Sequence, residues 1–186
     1  MNFNPLAAHY HRLELLFAGG LMQRCRVAHL PLTDRCQRAL LVGEGTGRFL
    51  VELLRRNPRI LVTCIEHSSG MIRQARRRLA NAGLDAARVE FRQLDVLDWE
   101  LPEQPFDLIV TNFFLDCFRA DQLARLIPKL AGGTAPNALW LLADFRVPEC
   151  GWRRWRAQLI LANLYLLFKL CTALPARWLT PPATRN

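Results

Sequence analysis

Short apolar runs alternate along the chain with stretches whose apolar residues recur at helical spacing. The pattern predicts strands over 39–42, 59–65, 89–93, 106–111 and 138–145, and helices over 48–54, 68–80 and 120–131. Strands that alternate with helices of this length are joined by βαβ crossovers, which place the strands in parallel and the helices on both faces of the sheet. The predicted fold class is therefore α/β, with a doubly wound parallel sheet.

Both ends of the chain carry helical patterns outside this alternation. Residues 4–31 predict a helical segment interrupted at Gly19-Gly20, and residues 152–174 predict one long helix. The apolar part of the second helix is shorter than the roughly 20 residues that cross a bilayer. It could be a buried helix over the substrate pocket, a dimer contact or a helix lying on a membrane surface. We therefore predict a single domain, residues 1–186, composed of an N-terminal cap (1–38), a core (39–148) and a C-terminal helix and tail (149–186).

Three glycines follow the first predicted strand at alternate positions, in the sequence Leu-Val-Gly-Glu-Gly-Thr-Gly of residues 41–47. Glycines between a strand and a helix let a ligand approach the backbone, and the following helix begins with free N–H groups. The stretch predicts a site for a nucleotide-like cofactor. Taken alone, a glycine turn of this kind also occurs for purely structural reasons.

An acidic residue after the second predicted strand strengthens the cofactor interpretation. Glu66 lies 23 positions after Gly43, where folds that bind adenosine cofactors place the carboxylate that accepts the ribose hydroxyls. Polar residues also follow the other strands, at Asp95, Asn112 and Asp144. Because parallel strands end at the same edge of a sheet, these side chains are expected to line one cleft.

Composition narrows the functional classes. The apolar fraction of 51% indicates a globular protein, and the net charge of +9 comes almost entirely from arginine. Such an excess suits an anionic partner, but it is also compatible with a merely solvated surface. The six cysteines contain no C-x-x-C pair and the four histidines form no metal-binding pattern, so we predict a cytoplasmic protein with reduced thiols and no metal. No signal-peptide pattern opens the chain.

In their order and spacing, residues 39–145 resemble the class I S-adenosylmethionine-dependent methyltransferases. The resemblance is carried by Leu-Val-Gly-Glu-Gly-Thr-Gly, Val-Thr-Cys-Ile-Glu with Ser-Ser-Gly-Met-Ile, Val-Glu-Phe-Arg-Gln-Leu-Asp-Val, and Phe-Asp-Leu-Ile-Val-Thr-Asn-Phe-Phe-Leu-Asp. The glycine spacing G-x-G-x-G differs from the G-x-G-x-x-G of proteins that bind NAD. The resemblance implies a Rossmann-like sheet of at least five parallel strands in the order 3-2-1-4-5. Members of the family normally end with a further strand pair containing an antiparallel hairpin, for which this chain is too short after residue 175.

The resemblance also implies S-adenosylmethionine as cofactor, S-adenosylhomocysteine as product, and a set of binding residues. The glycines would pass under the methionine part, Glu66 would hold the ribose, and Met71 would pack on the adenine. Asp95 would accept from the exocyclic amine. The full cofactor-binding set expected is Gly43, Glu44, Gly45, Gly47, Glu66, His67, Met71, Asp95, Val96, Asn112 and Phe113.

One position departs from the family pattern. The family commonly has an acid at the strand position of Leu41, which partners the ammonium of the cofactor, and Glu44 within the glycine turn is the natural substitute. Within the family, the chain is most similar to the small-molecule methyltransferases of ubiquinone and menaquinone biosynthesis, in Leu6-Ala7-Ala8-His9-Tyr10 and Asp144-Phe145-Arg146-Val147-Pro148. That similarity supports an apolar or aromatic small-molecule acceptor, methylated at oxygen or carbon.

A general base would assist such a reaction. The candidates are Asp116 after the fourth strand, and His9, Tyr10 or His11 in an N-terminal segment that could form a lid. Asn112-Phe113-Phe114 is not the Asn-Pro-Pro-aromatic signature of enzymes that methylate amino groups of bases, so nucleic acid is an unlikely substrate.

Two other interpretations of the chain stay open. The arginine-rich helices would suit a methyltransferase acting on RNA or at a phospholipid surface, and the missing acid at Leu41 would suit a non-catalytic cofactor-binding or scaffold protein. A homodimer through the C-terminal helix or the edge of the fifth strand is a further possible association, as is peripheral contact with a membrane.

Overall fold

Five parallel strands form the centre of the protein. The computed structural model describes residues 20–144, 150–152 and 154–155. Within these ranges the strands are β1 (Arg38–Val42), β2 (Leu61–Ile65), β3 (Val89–Arg92), β4 (Phe106–Asn112) and β5 (Thr134–Ala143). Their order in the sheet is β3-β2-β1-β4-β5, and all neighbours run in parallel. The α/β fold class and the strand order 3-2-1-4-5 expected from the sequence are confirmed.

Helices connect most of these strands. The α-helices are α1 (Leu21–Val27), α2 (Arg48–Arg56), α3 (Ser69–Asn81) and α4 (Ala120–Gly132), and short 3-10 helices cover Leu30–Thr33, Ala86–Arg88 and Leu115–Cys117. Helix α2 joins β1 to β2, α3 joins β2 to β3, and α4 joins β4 to β5. The connection from β3 to β4, residues 93–105, consists of turns and contains no helix.

The hydrophobic core lies on both faces of the sheet. Alternate residues of β1 point to opposite faces, and both sets are fully buried, which explains why this strand is a continuous apolar run. On one face, Leu41 packs in a cluster that includes Phe49 of α2 and Leu79 of α3. On the other face, Leu40 packs in a cluster that includes Leu126 of α4. The central strand is thereby held from both sides, so the loop that follows it has a rigid base.

Some element boundaries differ from the sequence-based prediction. Strand β5 begins at Thr134 rather than at residue 138, because an irregular stretch that looked like a loop stays in the strand. Phe106 pairs with Thr134 whereas Leu108 pairs with Leu139, so extra residues bulge out of β5, with Asn137 in the left-handed region (φ 62°). Strand β2 begins at residue 61 rather than 59, and the α-helix of the predicted segment 4–31 ends at Val27, before the 3-10 helix Leu30–Thr33.

Several predictions fall outside the described residues. These are the N-terminal helical segment up to residue 19, with His9, Tyr10 and His11, and the C-terminal helix beyond Trp155. At the start of that helix, Gly151, Trp152, Arg154 and Trp155 are helical, and both tryptophans are exposed. Among the residues that the structure describes, none of the helices combines the length and the apolar character needed to cross a membrane.

Candidate active site

The loop between β1 and α2, residues 43–47, forms the centre of the candidate site, and we call it the cofactor loop. Its three glycines all have positive φ angles, between 67° and 77°. A Cβ atom on Gly43 would collide with the ring of Phe114, and one on Gly47 would lie 2.9 Å from the Cα atom of Ala75 in α3. A Cβ atom on Gly45 would meet no atom within 4 Å. The close approaches of Gly43 and Gly47 are therefore made to the protein itself, and open space for a ligand lies at Gly45.

Gly43 is predicted to be the structurally most sensitive position of the cofactor loop. We expect Gly43→Ala to lower the free energy of unfolding by about 2 kcal/mol, because it combines an unfavourable positive φ with a collision against Phe114. Denaturant unfolding measures this loss. The double variant Gly43→Ala/Phe114→Ala should be less destabilised than the sum of the two single variants, since truncating the ring removes the collision. Additive losses in this cycle would contradict the contact.

Glu44 is directed at the start of α2. Its Oε1 atom accepts hydrogen bonds from the backbone N–H groups of Phe49 and Leu50, both at 2.9 Å. The carboxylate thus acts as an N-terminal cap from within the cofactor loop, a role that Gly47 at the N-cap position cannot fill. Burial raises the pKa of Glu44 from 4.5 to about 7, although the two amides and the charge of Arg26 oppose the shift. Leu41, at the position of the family's usual acid, is fully buried in the core.

Glu66 joins the end of β2 to the cofactor loop. Its Oε2 atom accepts from the N–H of Gly45 at 3.1 Å, and its Oε1 atom accepts from the N–H of Ser68 at 2.9 Å. Burial raises the pKa of Glu66 above its usual value, while these amides favour the charged form. Each oxygen of a carboxylate has a second acceptor position, so the side chain can still receive a vicinal diol. Its neighbour His67 is exposed.

The turn after β3 contains Asp95 and Val96. The Oδ1 atom of Asp95 accepts from the N–H of Leu97 at 3.0 Å, and Val96 is 3% exposed. Lys129 of α4 donates from Nζ to the carbonyl oxygens of Val96 (3.2 Å) and Leu97 (2.9 Å), which fastens the turn to that helix. Met71, in the first turn of α3, is buried.

The end of β4 supplies an amide and two aromatic rings. The Nδ2 atom of Asn112 is buried and has no hydrogen-bond partner among the described residues. Phe113 has a positive φ of 53°, which is strained for a bulky residue, and the Cζ atom of Arg26 lies 5.2 Å from the centre of its ring. The ring of Phe114 packs edge-on against that of Phe118, with 5.0 Å between ring centres. An orphaned donor beside a strained residue marks this strand end as a position for a ligand.

Asp116 lies in the 3-10 helix that follows β4. Its Oδ1 atom is 3.7 Å from the Sγ atom of Cys117. Burial raises the pKa of the Cys117 thiol well above its usual value, and the charges of Asp116, Asp144 and Glu66 add to that shift. The thiol is therefore protonated at neutral pH.

The charge of the sheet edge suits S-adenosylmethionine. That molecule carries a positive sulfonium and an ammonium group, and the edge of the sheet presents the carboxylates of Glu44 and Glu66. Open space at Gly45 and the orphaned amide of Asn112 provide room and a polar partner. The predicted residues thus lie along one edge of the sheet, in the segments that follow β1, β2 and β3 and at or after the end of β4, with Met71 in the first turn of α3.

Comparison with known proteins identifies the family. Residues 39–137 match the family described as a methyltransferase domain, and this match covers more than half of the chain. The chain therefore belongs to this methyltransferase family. The resemblance to class I S-adenosylmethionine-dependent methyltransferases is confirmed, and with it S-adenosylmethionine as the cofactor of the family. The match includes the cofactor loop, Glu66, Asp95 and Asn112.

Relatives of this methyltransferase domain differ in substrate and length. A demethylmenaquinone methyltransferase of Porphyromonas gingivalis is 31% identical over 120 residues, which cover 63% of this chain and 49% of that protein. A phosphatidylethanolamine N-methyltransferase of Cereibacter sphaeroides is 35% identical over 93 residues, which cover 50% of this chain and 43% of that protein. The matched part of this chain therefore spans about half of these relatives or less.

Solved structures share the fold of this methyltransferase domain. The mitomycin 7-O-methyltransferase MmcR superposes with a TM-score of 0.64 at 20% identity, over 87% of this chain and 48% of that chain. The DhpI-SAM-HEP complex superposes with a TM-score of 0.61 at 23% identity, over 77% of this chain and 64% of that chain. At these identities the likeness supports the fold and carries no information about the acceptor.

Three residues of the candidate site were missed by the sequence analysis. Arg26 stacks on Phe113 from α1, Phe114 fills the space beside Gly43, and Lys129 fastens the turn that contains Asp95. Arg26 and Lys129 lie on helices that are distant in the sequence from the residues they contact. No local sequence motif therefore predicts these contacts. Phe114 was noted only as part of the run Asn112-Phe113-Phe114, because a glycine pattern does not reveal which side chain lies against it.

Proposed function

We propose that this chain transfers the methyl group of S-adenosylmethionine to an oxygen or carbon atom of an apolar or aromatic small molecule. The observation that carries the proposal is the pair of hydrogen bonds from Gly45 and Ser68 to Glu66. The bond from Gly45 connects the residue expected to hold the ribose to the loop expected to hold the methionine part, and the bond from Ser68 fixes that residue to the start of α3. Gly45 and Glu66 are 21 residues apart in the sequence, and the fold brings them into contact.

Binding of the cofactor is assigned to the residues along the sheet edge. Glu66 accepts the ribose hydroxyls, the second oxygen of Asp95 accepts from the adenine amine, and Met71 and Val96 supply apolar contact for the ring. Asn112 donates its orphaned amide to the methionine part. Arg26 is positioned near Glu44 and Phe113, where a guanidinium suits the carboxylate of the methionine part.

The bound cofactor supplies a methyl group that is already activated by its sulfonium. The protein therefore has to orient the acceptor, exclude water and remove a proton where the acceptor is a phenol or an enol. Asp116, in the 3-10 helix that follows β4, is our candidate for the base that accepts that proton. Phe113, Phe114 and Phe118 provide apolar surface beside it, which suits an aromatic or prenylated acceptor. His9 and Tyr10 remain alternative candidates for the base.

The similarity to a demethylmenaquinone methyltransferase supports an acceptor of the quinol type. In such a molecule a hydroxylated ring is the nucleophile, and an adjacent carbon or oxygen receives the methyl group. Removal of the hydroxyl proton raises the electron density of the ring, so a carboxylate base has a defined task in this chemistry.

The proposal is tested by titration with S-adenosylmethionine followed by a transfer assay with labelled methyl groups on a panel of quinols and phenols. We expect cofactor binding in the micromolar range and transfer to at least one panel member. Asp116→Asn should reduce kcat by roughly 100-fold and leave the cofactor Kd unchanged, as expected for loss of a general base. Asp121→Asn, on the exposed first turn of α4, is the matched control.

Two outcomes would contradict the proposal. Cofactor binding without transfer to any quinol or phenol would favour the non-catalytic cofactor-binding alternative. Transfer that persists at the wild-type rate in Asp116→Asn would remove Asp116 from the mechanism and direct attention to the N-terminal segment.

A further inference from the structure

A groove of about 790 Å³ lies between α2 and α3, and none of the residues assigned to the cofactor lines it. Four arginines line it, Arg48 and Arg55 from α2 and Arg77 and Arg78 from α3, together with a single acid, Glu52. The remaining lining consists of amide side chains and two small apolar residues. Helices α2 and α3 cover the face of the sheet opposite α4, so the groove lies on the other side of the sheet from Asp116's neighbours Phe114 and Phe118.

The arginines that line the groove outnumber its single acid, so the lining carries a net positive charge. Glu52 pairs with Arg55 at 3.1 Å, and α3 contains four arginines and no acidic residue. Arg77 is exposed and makes no hydrogen bond or ion pair with the described residues. Charges of one sign gathered in a concave surface reinforce one another and raise the local concentration of counter-ions. The groove is therefore predisposed to bind an anion.

One arginine of the groove is held in place by the protein backbone. The Nε atom of Arg78 donates to the carbonyl oxygen of Thr46 at 2.9 Å, from behind the cofactor loop. Gln23 of α1 closes one side of the groove by donating from Nε2 to the carbonyl oxygen of Arg48 at 3.2 Å. A guanidinium with its orientation fixed in this way loses less side-chain entropy when it binds a ligand.

The shape and chemistry of the groove select among anions. Guanidinium groups bind phosphate through two parallel hydrogen bonds, and several arginines around one space match several phosphate oxygens. The volume lies in the range of pockets for small molecules. A flat bilayer surface would contact the outer surface of the helices and not the space between them. We propose that this groove is a second ligand site, which binds a discrete small molecule carrying more than one phosphate group.

The proposal is tested by isothermal titration of the full chain with inorganic tripolyphosphate at 0.1 M salt. We expect one saturable site, and at least a tenfold loss of affinity in the double variant Arg55→Gln/Arg77→Gln. The control Arg59→Gln/Arg125→Gln removes the same charge from exposed positions outside the groove and should change the affinity by less than twofold. All four side chains are exposed, so thermal unfolding is expected to show intact folds. The single variant Arg77→Gln should show an intermediate loss of affinity for tripolyphosphate, which provides a second test.

Three results would overturn the proposal. Equal losses in the two double variants would show that tripolyphosphate responds only to net charge. Absence of saturable binding to the wild-type chain would show that the groove is no phosphate site. The third result is that tripolyphosphate fails to bind, while the chain floats with phosphatidylglycerol vesicles or binds a single-stranded oligonucleotide in a way that depends on Arg55 and Arg77. This result would assign the groove to an extended anionic surface or polymer.

Discussion

Glu66→Ala is expected to weaken the binding of S-adenosylhomocysteine by roughly 100-fold or more. The variant removes a carboxylate that would accept two hydroxyl groups in a partly dehydrated site, where each charge-assisted hydrogen bond contributes about 1.5–3 kcal/mol. It also removes the acceptor of the N–H groups of Gly45 and Ser68, so the cofactor loop loses its tie to β2. Isothermal titration measures the change in Kd, and Glu90→Ala on the exposed side of β3 is the matched control.

A ligand analogue separates direct contact with the ribose from loss of loop order. The wild-type chain should prefer S-adenosylhomocysteine over its 2′-deoxy analogue, whereas Glu66→Ala should bind the two ligands with similar affinity. If the variant keeps the full preference for the 2′-hydroxyl group, Glu66 does not bind the ribose and only supports the cofactor loop.

The second large expected effect is a pH dependence of the unfolding free energy that Glu44 causes. Burial raises the pKa of this carboxyl from 4.5 to about 7 in the folded protein, so between these values the folded chain keeps a proton that the unfolded chain has released. The stabilising contribution of the protonated carboxyl is complete below pH 4.5 and is lost as the pH rises to 7. From the size of the shift, the wild-type chain should lose about 3 kcal/mol of unfolding free energy across this window.

Glu44→Gln should remove this pH dependence. Glutamine keeps an oxygen that can accept from Phe49 and Leu50 but does not titrate, so the variant should be the more stable protein at pH 8. Denaturant unfolding at pH 5 and pH 8 gives the comparison, and Glu90→Gln is expected to follow the wild-type profile. Parallel pH profiles for wild type and Glu44→Gln would show that Glu44 is ionised in the folded protein at pH 5.

The sequence predicts the sheet because its signals are local and redundant. Continuous apolar runs specify β1 and β4, which are buried on both faces, and the glycine turn specifies the connection from β1 to α2. Strand β5 is predicted less well, since Pro136 and Asn137 look like turn residues and only pairing with β4 keeps them in the strand. Glu66, Asp95 and Asn112 lie at or after the carboxyl ends of parallel strands, so the prediction of the sheet is enough to place them at one edge.

The spacing of residues along the sequence does not predict how individual side chains of the site are oriented. Glu44 was expected to face the cofactor, and the structure shows one of its oxygens capping α2. The N-terminus of α2 has no side-chain cap at Gly47, so the nearest carboxylate satisfies those amides. The role of Glu44 as partner of the ammonium group therefore stays a prediction, carried by its other oxygen. The contact between Arg26 and Phe113 depends on how α1 packs, which no local pattern specifies.

The two ends of the proposed cofactor site are fastened to opposite layers of the protein. Lys129 ties the turn of Asp95 to α4, while Arg78 and Ala75 hold the cofactor loop against α3 on the other side of the sheet. A molecule that contacts both the turn and the loop would form an additional connection between the two helical layers, which the strands already join. Its binding energy would then be shared by the whole domain, so the two layers would open together in the bound protein and more independently without it.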